Sequence, residues 1–261
     1  MTANPLHPQL LIVNNELNGL CTLLESILVT GQRNGIYLEL LGCLLSIDFQ
    51  QEKWDEFCKF RETYVKVGGE FTSKGWDRAT RVYTNPVDKP TKPSYLKRLI
   101  AYPDKPRRDL LKTGHLNQLE KISLELSKKP GYSNLSFVVL RPADLHDQFR
   151  PGYVPCVISG DFKFRKGKLD LNVMFRTSDA LTVGYGDIYY MRNLQMQVLN
   201  LAKGISKNAQ LKESEIGLLN MYLCRTYIQR TLKSKNGVHV NGEHIATQLT
   251  KSINELEGHN T

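Results

Sequence analysis

The sequence predicts an α+β fold with a mixed sheet flanked by helices, on three observations. Apolar residues recur at helical spacing in some segments and alternate with polar ones in others. The two patterns do not succeed each other as regular βαβ units, which disfavours a doubly wound sheet. The clearest local signal is a β-hairpin near the middle of the chain, with Phe162 and Phe164 alternating on one arm and Leu169, Leu171, Val173 and Phe175 on the other.

In chain order, Leu10, Leu17, Leu20, Leu24, Ile27 and Leu28 predict a helix over residues 9–28. Gly31 and Gly35 bracket a turn. Residues 36–47 are strongly apolar around one acid, Glu39. From Gly68 the pattern weakens, and Pro86, Pro90, Pro93, Pro103 and Pro106 predict an irregular surface region over residues 69–109. Leu116, Leu119, Ile122 and Leu126 mark a helix that Lys129-Pro130-Gly131 ends, and a strand follows at 136–140. The hairpin spans 155–178 with its turn at Lys166-Gly167. Met191, Leu194, Val198 and Leu201 return to helical spacing. A strand is expected over 215–228, and Ile245, Leu249, Ile253 and Leu256 predict a last helix.

The 261 residues suit one domain spanning 1–261. Apolar residues are 41% and charged residues 23%, ordinary values for a soluble globular chain. No apolar run reaches the length of a membrane span, and the N-terminus does not read as a secretory signal, so a cytoplasmic setting is expected. Five widely spaced cysteines without a CxxC pair disfavour a disulfide framework and a structural zinc site. The six scattered histidines complete no metal set. No P-loop, dinucleotide loop or nucleic-acid-binding motif occurs. The net charge of +9 sits partly in short clusters, at Lys97-Arg98, 105–108, Lys128-Lys129 and 165–168. Such clusters attract phosphates, or are simply a solvated basic face. Trp54 and Trp76 read as core packing ahead of the other role open to them, stacking on a base.

Directly paired residues of an antiparallel hairpin have a constant index sum. A turn at Lys166-Gly167 makes that sum about 332 or 333, so Cys156 and Arg176 are expected to face each other. A cation beside a thiol stabilises the thiolate, and an arginine is a good phosphate ligand. A cysteine near a strand start is also commonly a small buried hydrophobe, and hairpin geometry alone leaves both readings open.

Pro155-Cys156, the hairpin, and then Phe175-Arg176-Thr177-Ser178-Asp179 together resemble the catalytic core of thymidylate synthases and deoxycytidylate hydroxymethylases. In that superfamily a Pro-Cys nucleophile precedes a hairpin ending in Arg-Ser-x-Asp. The stretch 184–188, followed by a helix, resembles the family's base-reading loop. Tyr37-Leu38-Glu39-Leu40-Leu41 is similar to its Glu-Leu-Leu on an early helix, and Tyr227 stands where a sugar-binding tyrosine would.

The resemblance implies a thymidylate-synthase-like fold, a homodimer, and folate-dependent C5 hydroxymethylation or methylation of a pyrimidine nucleotide. Cys156 would add to C6, and methylenetetrahydrofolate would supply the carbon. Arg176, with Ser178 beside it in the motif, would hold the phosphate and activate Cys156. Glu39 would organise water for proton transfer, and Asp179 would contact base or folate. Asp187 replaces an asparagine of thymidylate synthases. A carboxylate only accepts hydrogen bonds, which suits the N4 amino group of cytosine; Asp187 also reads as a helix N-cap. The family's paired phosphate arginines have no counterpart after Pro130, which leaves Arg33 as a candidate. Arg225 replaces its sugar-contacting histidine, and its apolar C-terminal folate lid has no equivalent. The alternative is an inactive binding or structural protein with that fold, using its basic surface for nucleotide, nucleic acid or protein partners.

Overall fold

Alternation and helical periodicity compete at the start of the chain, and the strand wins there. In the computed structural model, which describes residues 8–85, 94–103, 115–145 and 154–258, strand β1 (Gln9–Val13) precedes helix α1 (Glu16–Thr30). The predicted helix over 9–28 is therefore corrected. Asn15 caps α1, its side chain accepting from the Asn18 N–H, and this fixes the start that hydrophobic spacing alone placed too early.

The order continues with β2 (Gln32–Asn34), β3 (Tyr37–Ile47), α2 (Gln51–Thr84), α3 (Tyr95–Ile100), β4 (Tyr102–Pro103), β5 (His115–Leu116), α4 (Gln118–Lys128) and β6 (Ser136–Val138). Then come β7 (Val157–Arg165), β8 (Lys168–Phe175), β9 (Ser178–Asp179), α5 (Gly184–Ile205), α6 (Ala209–Lys212), β10 (Glu215–Gln229), β11 (Thr231–Lys233), β12 (His239–Asn241) and α7 (Gly242–Leu256). A short 3-10 turn covers Pro142–Leu145. This is a mixed helix-and-strand fold, as expected. The irregular region predicted over 69–109 is corrected for residues 69–84, which continue α2 past a kink at Gly69, where φ is 57°. It is corrected as well at Tyr95–Ile100, the helix α3, which Ser94 caps and which buries Tyr95, Arg98 and Leu99, while residues 86–93 and 104–109 lie outside the described residues.

The chain forms two units, each assembled from separated segments. The first is Met1–Ala79, Phe175–Met191 and Leu218–Thr261, and the second is Thr80–Met174 and Arg192–Gly217.

In the first unit β3 pairs in parallel with β1 and antiparallel with β10, so the sheet is mixed. β2 folds back on the start of β3, and β9 runs parallel to β10. Helix α1 lies on β1 and β3 and against α7. Leu20, Leu24 and Ile27 of α1, Cys43, Leu45 and Ile47 of β3, and Leu249 and Ile253 of α7 are fully buried. Each such aliphatic side chain contributes roughly 1.5–3 kcal/mol relative to exposure.

Strict alternation would put Leu38 and Ile47 on opposite faces of β3, yet both meet α1. A Cβ on Gly31 at the end of α1 would touch Leu38, and one on Gly19 near its start would touch Ile47. Gly42 lies between them with φ 68°, a left-handed value that a residue without Cβ adopts freely, and it resets the alternation. The partner strand switches in step: Leu223 is buried, and so are Thr226 and Ile228. As a result Tyr37, Glu39, Leu41, Arg225 and Tyr227 share the face turned away from α1.

Trp54, Phe57, Tyr64 and Trp76 of α2 cluster with Tyr185, Tyr189 and Tyr190 of α5, with ring centroids 4.5 Å apart for Phe57–Tyr185 and 5.0 Å for Tyr64–Tyr185. Both tryptophans pack within this cluster, in line with the sequence reading.

In the second unit β8, β7 and β6 are successive neighbours. The hairpin turn falls where predicted, with Lys166 at φ 51° and Gly167 at φ 77°, the positive pair a tight I′-type turn requires. Helix α4 buries Leu119, Ile122 and Leu126. The Lys97-Arg98 pair is not wholly a surface basic cluster, because Arg98 is buried. Arg98 is 1% exposed, with its guanidinium on Asp144 and on the Val139 carbonyl. Burial alone would raise the Asp144 carboxyl, but hydrogen bonds from Arg98 and from the Arg141 N–H hold it below its ordinary range. Among the described residues, no helix is long and apolar enough to cross a membrane.

Candidate functional site

Register gathers most of the nominated residues in the first unit. Tyr227 on β10 is the Cα partner of Glu39 on one side and of Asp179 on the other. Arg225, two residues before it, is the Cα partner of Leu41 and reaches diagonally to Glu39, with Nε 2.5 Å from Oε2. Its guanidinium carbon lies 4.9 Å from the Tyr37 ring centre and 4.7 Å from that of Tyr227. The other Glu39 oxygen accepts from the Asn34 side chain at 2.8 Å. Arg225 is thus held by one carboxylate and by two aromatic rings that lie edge to face, 72° apart, a cation–π setting for its charge.

Glu39 stands on strand β3 and not on a helix, which corrects the position suggested by the family's Glu-Leu-Leu. Both its oxygens are hydrogen-bonded within the unit. Arg33 lies on β2, opposite Leu38, and its side chain is exposed.

Around β9, the Ser178 hydroxyl donates to Asp187 Oδ2 at 2.9 Å, and Asp187 is 6% exposed. Asp187 does not cap α5. The helix begins at Gly184, so Asp187 sits in its first turn, where a negative charge suits the helix dipole. Asp179 accepts from both the Thr182 N–H and the Thr182 hydroxyl, at 3.2 and 2.6 Å, and closes the turn that leads into α5. Desolvation pushes the Asp179 carboxyl up, against the pull of Thr182 and of the Arg78 charge. The buried Tyr64 hydroxyl donates to the Leu181 carbonyl at 2.7 Å. Burial first, then the charges of Asp179 and Asp187, push that hydroxyl well up.

Arg176 follows β8 directly and is exposed. Cys156 belongs to the second unit, one residue before β7. It is half-buried behind the buried Pro155, and its backbone N–H donates to the Tyr95 hydroxyl at 3.0 Å. Burial pushes the thiols of Cys21 and Cys43 up to about 12 and that of Cys58 to about 11, so at neutral pH these three are held as thiols. Among the described residues no group of three or more His, Cys, Asp or Glu could hold a metal ion.

Tyr37, Asn34 and Thr182 escaped sequence reasoning, although each touches a nominated residue. A signal for Tyr37 exists. Tyr37-x-Glu39 and Arg225-x-Tyr227 are matched period-two pairs on strands that run antiparallel, so each pair recognises the other. No protein-family model matches this chain, and a search of the curated proteins finds no match.

Proposed function

We propose that the chain is a folate-dependent pyrimidine-nucleotide C5 hydroxymethylase or methylase, with cytosine favoured. The observation that carries this reading is the buried Asp187 carboxylate, oriented by the hydroxyl of Ser178, the residue next to Asp179. An oriented carboxylate offers acceptors only, which selects a base edge that donates, as the cytosine N4 amino group does. In the proposal Cys156 would add to C6 and C5 would bond the carbon that methylenetetrahydrofolate supplies. Loss of the C5 proton would release tetrahydrofolate, and water would add to the exocyclic carbon to give the hydroxymethyl group, a hydride from the folate taking the place of water in methylation. Elimination of Cys156 then restores the ring. Arg176 and the exposed Arg33 are the proposed phosphate ligands, and Tyr227 with Arg225 the sugar neighbours. The proposal includes a homodimer in the cytoplasm.

The test reads the base at position 187. With cytosine and uracil mononucleotides labelled at C5, Asp187→Asn is expected to move proton release toward uracil by about tenfold or more, the worth of one misplaced hydrogen bond. Unchanged preference would remove Asp187 from base reading.

One observation favours the second reading, a nucleotide- or protein-binding chain without the reaction. Both Glu39 oxygens are engaged, by Asn34 and Arg225, which suits a structural acid more than a proton relay. In that case Glu39→Gln leaves ligand affinity unchanged and no nucleotide loses its C5 proton.

A further inference from the structure

Strand β1 is the terminal strand of its sheet, and its sequence, Gln-Leu-Leu-Ile-Val, carries no charge and no proline. The Val13 carbonyl accepts from the Asp48 N–H at 3.0 Å. In a parallel ladder the N–H and C=O of one residue point to the same neighbour, and successive residues alternate sides. Gln9, Leu11 and Val13 therefore bond toward β3, while Leu10 and Ile12 aim their backbone groups outward. Among the described residues no strand pairs with that outer edge. The side chains of Leu10 and Ile12 are 59% and 72% exposed, on the face turned away from α1. An apolar edge with outward donors and acceptors is a template for another strand.

The end of this strand opens into a cleft of about 620 Å³, whose lining includes Ile12 and Leu218 as well as Asn18 and Glu25 of α1 and Asp48. That volume is in the range of ordinary ligand sites. Among the described residues no lysine or arginine lines it, although the chain as a whole carries +9. Glu25 accepts from the Cys21 thiol and the Asn254 amide, both neutral donors, so its negative charge stays on the cleft wall. The two sides of the edge thus differ: apolar at Leu10 and Ile12, anionic toward α1.

We propose that the outer edge of β1 receives an extended peptide segment, from another protein, that alternates apolar and basic residues. Its backbone bonds to Leu10 and Ile12, its apolar side chains cover those two residues, and its basic side chains enter the cleft beside Glu25. This is strand addition, in which main-chain bonds supply affinity and alternate side chains supply specificity. A second copy is disfavoured as the occupant, because pairing two β1 edges would bring two anionic cleft walls together.

The test uses the full chain and a fluorescein-labelled peptide of three Val-Lys repeats, with a Val-Glu peptide as control. Saturable one-to-one binding to the Val-Lys peptide is expected, weakened by about tenfold or more for Val-Glu and for Glu25→Gln. Ile12→Pro removes an outward N–H only, a change an edge strand tolerates, and is expected to weaken binding similarly. If that variant loses its circular dichroism spectrum, N-methylation of the peptide on alternate residues tests the same bonds from the other side. Absence of saturable binding would overturn the proposal, as would equal affinity for a folded Ile12→Pro variant or for both N-methylated peptides. Sedimentation in which wild type dimerises and Ile12→Pro does not would assign the edge to a second copy instead, and would also overturn it. None of these outcomes depends on nucleotide turnover.

Discussion

Asp179 illustrates how a carboxylate is placed at a cost. Its two hydrogen bonds from Thr182 and the charge of Arg78 favour the ionised form, yet desolvation outweighs them and its folded pKa lies above the ordinary 3.8. The sign of the pH dependence follows. A raised folded pKa contributes stability that is fully present below the unfolded value and is lost as pH rises through the folded one. Asp179→Asn keeps an acceptor for Thr182 and removes the titration. Denaturation midpoints of the variant and wild type are therefore expected to lie close together at pH 3 and to separate in the variant's favour by pH 7. A constant offset at all pH values would show that desolvation of Asp179 is not the dominant effect. At this scale the sequence was legible where a residue type alone sets the chemistry, as for the acceptor-only Asp187. It was not legible for Glu39, whose character depends on Asn34 and Arg225 folding onto it.

Elements whose patterns have one period were readable from the chain. The 155–178 hairpin, the helix around Val198 and the last helix all follow simple alternation or helical spacing, and their turns carry the expected residues. Three elements defeated that reading for identifiable reasons. β1 shares apolar spacing with α1, and only the Asn15 cap separates them. β3 changes face at Gly42, which erases strict alternation. The second half of α2 has little apolar periodicity because it packs through small residues. A Cβ on Gly75 would lie 1.7 Å from the Thr182 carbonyl oxygen, so α2 touches the turn that Asp179 closes. Gly75→Ala must therefore push that turn away. It is expected to destabilise the protein by about 1–3 kcal/mol, the usual penalty of overpacking, measured by chemical denaturation, and to lower nucleotide affinity through the displaced Asp179. A neutral effect on both would separate the turn from the site.

At the scale of the whole molecule, the mixed helix-and-strand class was readable from the absence of regular βαβ alternation. The two-unit organisation was not, because each unit is stitched from distant segments and the chain passes between units inside α2, β8, α5 and β10. No composition shift or linker marks such a crossing. The same feature distributes the nominated chemistry: Glu39, Arg176, Ser178, Asp179, Asp187, Arg225 and Tyr227 belong to the first unit and Cys156 to the second. The central claim is that Cys156 attacks a pyrimidine at C6, and it has one direct measurement. With [5-³H]CMP, dCMP and dUMP in the presence of methylenetetrahydrofolate, wild type is expected to release tritium to water, fastest from a cytosine nucleotide, and Cys156→Ser to release none above background. Release from no nucleotide, or equal release by Cys156→Ser, would contradict it.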